Sequence, residues 1–267
     1  DFKEFSEKFA SAVINKKNIS LMMGAHLIKV GLGPLIIELI KNGMISSVSM
    51  NGAGVIHDSE LALWGQTSED VAVNLQNGTF GMCRETAQFI NSALSENLST
   101  DLGYGESIGK KIFESDAKNK SFSILATAYE KSIPVTVHVG IGTDIIYQHP
   151  GMNGAAAGEL SYRDFKILCE VLKSLGTGGV VLNVGSAVIL PEVFLKALTV
   201  VRNLGFDAFN FTTATFDMIS QYRSRVNVVE RPTLSGGKGY YFIGHHEIMI
   251  PLLLASVKDI LRKHNGK

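Results

Sequence analysis

Ile19-Ser20-Leu21-Met22-Met23-Gly24-Ala25-His26 is a short, mostly apolar run that halts on a glycine and a small residue. Five residues of this kind suit a strand buried on both faces, and the glycine marks the turn that leaves it. Further on, Pro34 suits the first position of a helix whose apolar side carries Leu35, Ile36, Leu39 and Ile40, and Gly43 closes it. A second strand, Ile45 to Met50, follows at once and ends in Asn51-Gly52-Ala53-Gly54. A strand, a loop, a helix and a strand in that order form a crossover, which joins parallel strands.

The same grammar returns later. Ser161, with Asp164 three residues on, reads as a capping box for a helix carrying Phe165, Leu168, Leu172 and Leu175. Gly176-Thr177-Gly178-Gly179 stops that helix, and Val180 to Val184 reads as a buried strand. Gly185-Ser186 turns the chain into a helix opened by Pro191 and ended by Gly205, and Asp207 to Thr213 reads as the next strand. Pro134 to Val139 supplies another, and residues 68–132 are largely helical in pattern. The expectation is a doubly wound, mostly parallel α/β sheet of the Rossmann-like kind.

Composition narrows the function. The 267 residues carry 25 Lys+Arg against 25 Asp+Glu, so no excess of positive charge awaits phosphates, and bulk nucleic-acid binding is not expected. Charged residues make up 19%, which points to buried strands, oligomer interfaces or both. The longest apolar stretch, Ile248 to Val257, is about half of what a bilayer needs, so no membrane span is expected. Cys83 and Cys169 stand far apart without a CxxC pair, against a disulfide framework or a thiolate zinc site. No repeat or linker divides the chain, so residues 1–267 read as one domain, with a cytoplasmic location as the expectation.

Ligands of open α/β sheets bind beyond the carboxyl ends of the strands. The residues there are Gly24 and His26; Asn51, Gly52 and Gly54 with His57-Asp58; Asp144 and His149; Gly185 and Ser186; and Thr213 with Asp217. Glycines in such turns let backbone N–H groups approach a pyrophosphate, although glycine-rich turns also occur in α/β proteins that bind no nucleotide. No intact GxGxxG is present. His57 reads either as a general base beside Asp58 or as the polar start of a helix. Lys238, in a glycine-rich loop, reads either as a solvated side chain or as an amine that attacks a carbonyl or imine. His245-His246-Glu247 lacks HExxH spacing and reads better as the start of the helix from Glu247 to Arg262 than as a metal site.

At these loops the chain resembles deoxyhypusine synthase and its bacterial relatives. The stretch from Gly24 to Pro34 resembles the family's dinucleotide segment, with Gly31 on its glycine. Asn51-Gly52-Ala53-Gly54-Val55-Ile56-His57-Asp58 resembles its TAGGVEED stretch, and Gly142-Thr143-Asp144 through His149 its GDMIFFH stretch. Thr213-Ala214-Thr215-Phe216-Asp217 resembles TAQEFD, Arg231-Pro232 through Lys238 its RP…WGK segment, and Pro251 to Ala255 its FPLLVA. The resemblance implies bound NAD held by Gly24, His26, Gly31, Asn51, Gly52, Gly54, Asp144, Gly185, Ser186, Thr213 and Asp217. It also implies Lys238 as an imine-forming lysine, Asp144 and His149 at a substrate amine, His57 moving protons, and a homotetramer with sites shared between subunits. Departures thin out the polyamine pocket: His57 replaces a glutamate, Gly236 a tryptophan, and Leu190-Pro191 a pair of histidines. The expectation is an NAD-dependent enzyme handling a small amine, by transfer through a lysine imine. The rivals are simple amine or amino-acid oxidation and a catalytically silent NAD-binding protein; a sirtuin-like deacylase ranks last because its zinc-binding cysteine pairs are missing.

Overall fold

A computed structural model describes residues 1–266. Six strands form one sheet in the order β3-β2-β1-β4-β5-β6, with every neighbouring pair parallel. They are β1 (Ile19–Met23), β2 (Ser47–Asn51), β3 (Val135–His138), β4 (Val180–Val184), β5 (Thr212–Asp217) and β6 (Lys238–Ile243). This is the order of dinucleotide-binding folds, and it reverses direction between β1 and β4.

Helix α1 (Phe2–Ile14) precedes the sheet; α2 (His26–Lys29) and α3 (Gly33–Lys41) join β1 to β2. Between β2 and β3 lie α4 (Gly52–Trp64), α5 (Val71–Asn77), α6 (Arg84–Glu96), α7 (Tyr104–Glu114) and α8 (Ile124–Glu130). Then follow α9 (Gly154–Leu172), α10 (Ile189–Asn203), the single turn α11 (Tyr222–Ser224) and α12 (His246–Asn265). No helix among the described residues is long and apolar enough to cross a membrane.

Strand alternation sorts the core into two layers. Ile19, Leu21, Met23, Val180, Leu182 and Val184 face a large cluster with Phe5, Phe9, Ile36 and Leu253. Met22 and Val181 face the other way, onto Leu168, Leu172, Phe194 and Leu198 of α9 and α10. The same second face is unexpectedly polar. Ser20 bonds Ser47 at 2.9 Å, Ser49 bonds Thr136 at 2.8 Å, and Asn183, Thr213 and Thr215 are wholly buried.

The structure departs from the sequence pattern at three places. Ser161 and Asp164 do not cap a helix start, because α9 already begins at Gly154, where the Asn153 side chain accepts from Ala156 N. They instead fasten α9 to β3, the edge strand. Ser161 Oγ donates to Val137 O at 2.8 Å and accepts from Val139 N at 3.3 Å, while Asp164 Oδ2 accepts from Val137 N at 2.6 Å and Gly105 N at 2.9 Å. Side chains thus satisfy backbone groups that a further strand would otherwise pair with.

The strand expected at Asp207 to Thr213 lies further on, as β5, so that Thr213 sits near its amino end and Asp217 closes it. The first residues of the expected run, Asp207 to Asn210, lie outside any strand. The sixth strand, β6, has no counterpart in the sequence pattern, because it opens on Lys238 and Gly239 directly after the glycine turn at Gly236 and Gly237.

Close packing makes the β1 and β4 turns sensitive to a single methyl group. A Cβ on Gly24 would lie 2.1 Å from Gly185 O, so Gly24→Ala forces these turns apart. It is expected to cost on the order of 1–3 kcal/mol or more, read by denaturant unfolding; an unchanged midpoint would refute the close approach. Burial pushes the Asp164 carboxyl up to about 8. A raised carboxyl favours the protonated folded state, so its contribution is complete below about pH 4 and is lost as pH rises through about 8. The Tm of the wild type should therefore fall more steeply across that window than the Tm of Asp164→Asn.

Candidate functional site

The parallel register puts the carboxyl ends of all six strands on one edge of the sheet. Two groups of predicted residues meet there. At the reversal between β1 and β4, Gly24 lies against Gly185, and the His26 and His246 rings stand 5.7 Å apart. His246 is buried; its Nε2 lies 3.3 Å from Phe216 O, and its Nδ1 has no partner among the described residues. Burial, and then His26, lower its pKa. Asp217, also buried, accepts from Met218 N through Oδ1 at 2.7 Å.

The glycines here have a structural duty. Gly24 N donates to Val184 O and Gly185 N to Phe216 O, both at 2.9 Å, so these amides extend the ladder and are not free for a phosphate. Beside them stand the side chains of His26, His246 and Asp217. Ser186 is engaged in the turn, its Oγ accepting from Leu190 N.

The second group lies at the ends of β2 and β3. Asn51 caps α4 by accepting from Gly54 N. A Cβ on Gly52 would meet Asp144 Oδ2 at 2.2 Å, so this glycine makes room for a carboxylate at the start of α4. Burial raises Asp144 to about 6. A cavity of about 560 Å³ opens beside it, lined by His57, Glu60, Thr67, Cys83, Thr86 and Asp144 among others. Its outer wall is the 65–83 segment, including α5, none of whose residues is buried.

His57 belongs to this cavity, but Asp58 is not its partner. Asp58 points into the core and caps α8, accepting from Ser123 Oγ, Ile124 N and Leu125 N. His57 Nδ1 lies 2.6 Å from Thr67 Oγ1, which in turn donates to Glu60 Oε2. Burial lowers the pKa of His57, with Glu60 opposing and Lys29 reinforcing that shift. Glu60, about one helical turn beyond His57, is legible in sequence as an i, i+3 pair; Thr67 is not, since it lies past the left-handed Gly65 that ends α4.

Four predicted residues stand apart. Lys238 opens β6 opposite Thr212, whereas Ile243 pairs with Asp217 at the other edge. The length of β6, about 17 Å, separates the two edges. Both Glu4 carboxylate oxygens accept from Lys238 Nζ, at 2.8 and 2.7 Å, so within this chain the lysine does not join the other residues. Thr213 is buried near the same amino edge. Gly31 occupies an exposed left-handed turn with nothing near its Cβ position. His149 Nε2 lies 2.8 Å from Gly81 O, holding the 65–83 segment rather than lining the cavity.

No protein-family model matches the chain, and no curated protein matches it in sequence. Solved structures match its fold. A LOR/SDH protein from Methanococcus maripaludis S2 has a TM-score of 0.58 at 15% identity, over 97% of this chain and 69% of that one. AgrE, solved with ornithine and NAD+, has a TM-score of 0.55 at 12% identity, over 99% of this chain and 33% of that one. A protein named for deoxyhypusine synthase, from Entamoeba histolytica, has a TM-score of 0.51 at 11% identity, over 90% and 74%. The chain thus spans about a third of AgrE, and at these identities the likeness establishes a shared Rossmann-like fold.

Removing the Glu60 charge takes away what favours the imidazolium, so Glu60→Gln should lower the His57 pKa further, while Lys29→Met should raise it. NMR titration of the His57 ring checks both signs, and a shift in the opposite direction would show that these charges do not act on it.

Proposed function

We propose that this chain is an NAD-linked enzyme that oxidises a small amine or amino acid at the cavity beside α4. The observation that carries the reading is the shared cavity of His57 and Asp144, from which Lys238 is absent. Fold likeness to AgrE, which was solved with ornithine and NAD+, supports the choice of cofactor and substrate class.

A dinucleotide would lie at the β1–β4 turns, beside the side chains of His26, His246 and Asp217. The Nδ1 of buried His246, without a partner among the described residues, would suit a ribose hydroxyl, with His26 and Asp217 beside it. When bound, NAD would supply a hydride acceptor for the carbon that bears the amine. Asp144, ionised above about pH 6, would hold the substrate ammonium. His57 would take one proton from the nitrogen as the carbon gives up its hydride, leaving an iminium product.

Transfer through a lysine imine would require Lys238 from a second copy, in a homo-oligomer such as the expected tetramer. Exposed Ile219, Tyr222, Ile243 and Ile248 favour such assembly.

The test is cofactor reduction by a panel of amines and amino acids. Turnover should fall as pH drops below about 6, and His57→Gln should reduce it by about 100-fold or more. Lys238→Ala should leave it unchanged. Loss of turnover in Lys238→Ala would restore the transfer reading, and tight NAD binding with no turnover of any amine would leave a silent binding protein.

A further inference from the structure

Thr67 has one hydroxyl proton, and where that proton goes decides the state of the histidine beside it. Its Oγ1 donates to Glu60 Oε2 and lies 2.6 Å from His57 Nδ1. A carboxylate only accepts, so the hydroxyl proton points to Glu60 and the Thr67 oxygen must accept from Nδ1–H. The other Glu60 oxygen accepts from Thr86 Oγ1 at 2.9 Å, so the carboxylate is held from α6 as well.

We propose that Glu60 and Thr67 are positioning residues that lock His57 in its Nδ1–H tautomer, leaving Nε2 as the unprotonated base of the cavity. Nε2 has no hydrogen-bond partner among the described residues, and His57 lines the cavity. When Nε2 takes a proton, Nδ1–H is retained and Glu60, through Thr67, stabilises the imidazolium. The charged groups that line the cavity with His57 are Glu60 on its own helix, Lys29 on α2, Asp144 after β3, Glu69 before α5 and Glu85 on α6. The use of Nε2 as a base rests on the oxidation reading; the tautomer is a property of the free protein.

The experiment is long-range ¹H–¹⁵N correlation of the imidazole rings in the full chain, with His57 assigned by His57→Gln. The wild type at neutral pH should show Nδ1–H, Thr67→Ser should keep it, and Thr67→Val should lose it. An Nε2–H tautomer in the wild type, or no change in folded Thr67→Val, would overturn the proposal; the wild-type spectrum decides even if that variant fails to fold. With an active amine, Thr67→Val should lower kcat by about tenfold or more at unchanged KM. Absence of turnover with the Nδ1–H tautomer present would remove the oxidation reading and leave the tautomer assignment standing.

Discussion

Every strand connection in this molecule crosses over, and the resulting common direction of six strands governs what can meet. A parallel sheet has one carboxyl edge, where turns open into helix starts and where ligands have access. His26, Asn51, Asp144 and Asp217 reach that edge; Lys238 begins its strand at the other. No side-chain rotation closes a gap of about 17 Å, since a lysine extends well under half as far. Strand direction therefore separates His57 and Asp144 from Lys238 within one chain.

The glycines of the edge show a second constraint. In sequence, Gly24 and Gly52 read as openings for a phosphate, yet each makes room for a neighbour in the same chain: the Gly185 backbone for one, the Asp144 carboxylate for the other. With their amides already bonded, Gly24 and Gly185 offer none to a cofactor at this edge. That agrees with the absence of a GxGxxG sequence, whose purpose is to expose backbone amides.

What can be read from sequence follows physical signal strength. The mostly apolar runs of β1 and β4, each bounded by turn residues, fix their bounds to the residue. Residues 207–213 mislead because Ala208, Phe209 and Phe211 resemble a strand, although the ladder takes up only from Thr212. β6 is hidden by Gly239, by the glycines just before it and by its half-exposed edge position. His57 stands out as a histidine soon after a strand, but its hydrogen-bond partner Thr67 does not. Adjacent residues on a helix point about 100° apart, so Asp58 turns inward while Glu60 stays with His57.

Charge in the cavity gives the last step. Glu60, Glu69, Glu85 and Asp144 line it against one cation among the described residues, Lys29. An anionic substrate would face repulsion there, while an ammonium would be drawn in and would favour ionised Asp144. A bound ammonium would in turn raise the cost of a second positive charge nearby, which would keep His57 neutral. A base held neutral beside a bound ammonium is the arrangement that deprotonating an amine requires.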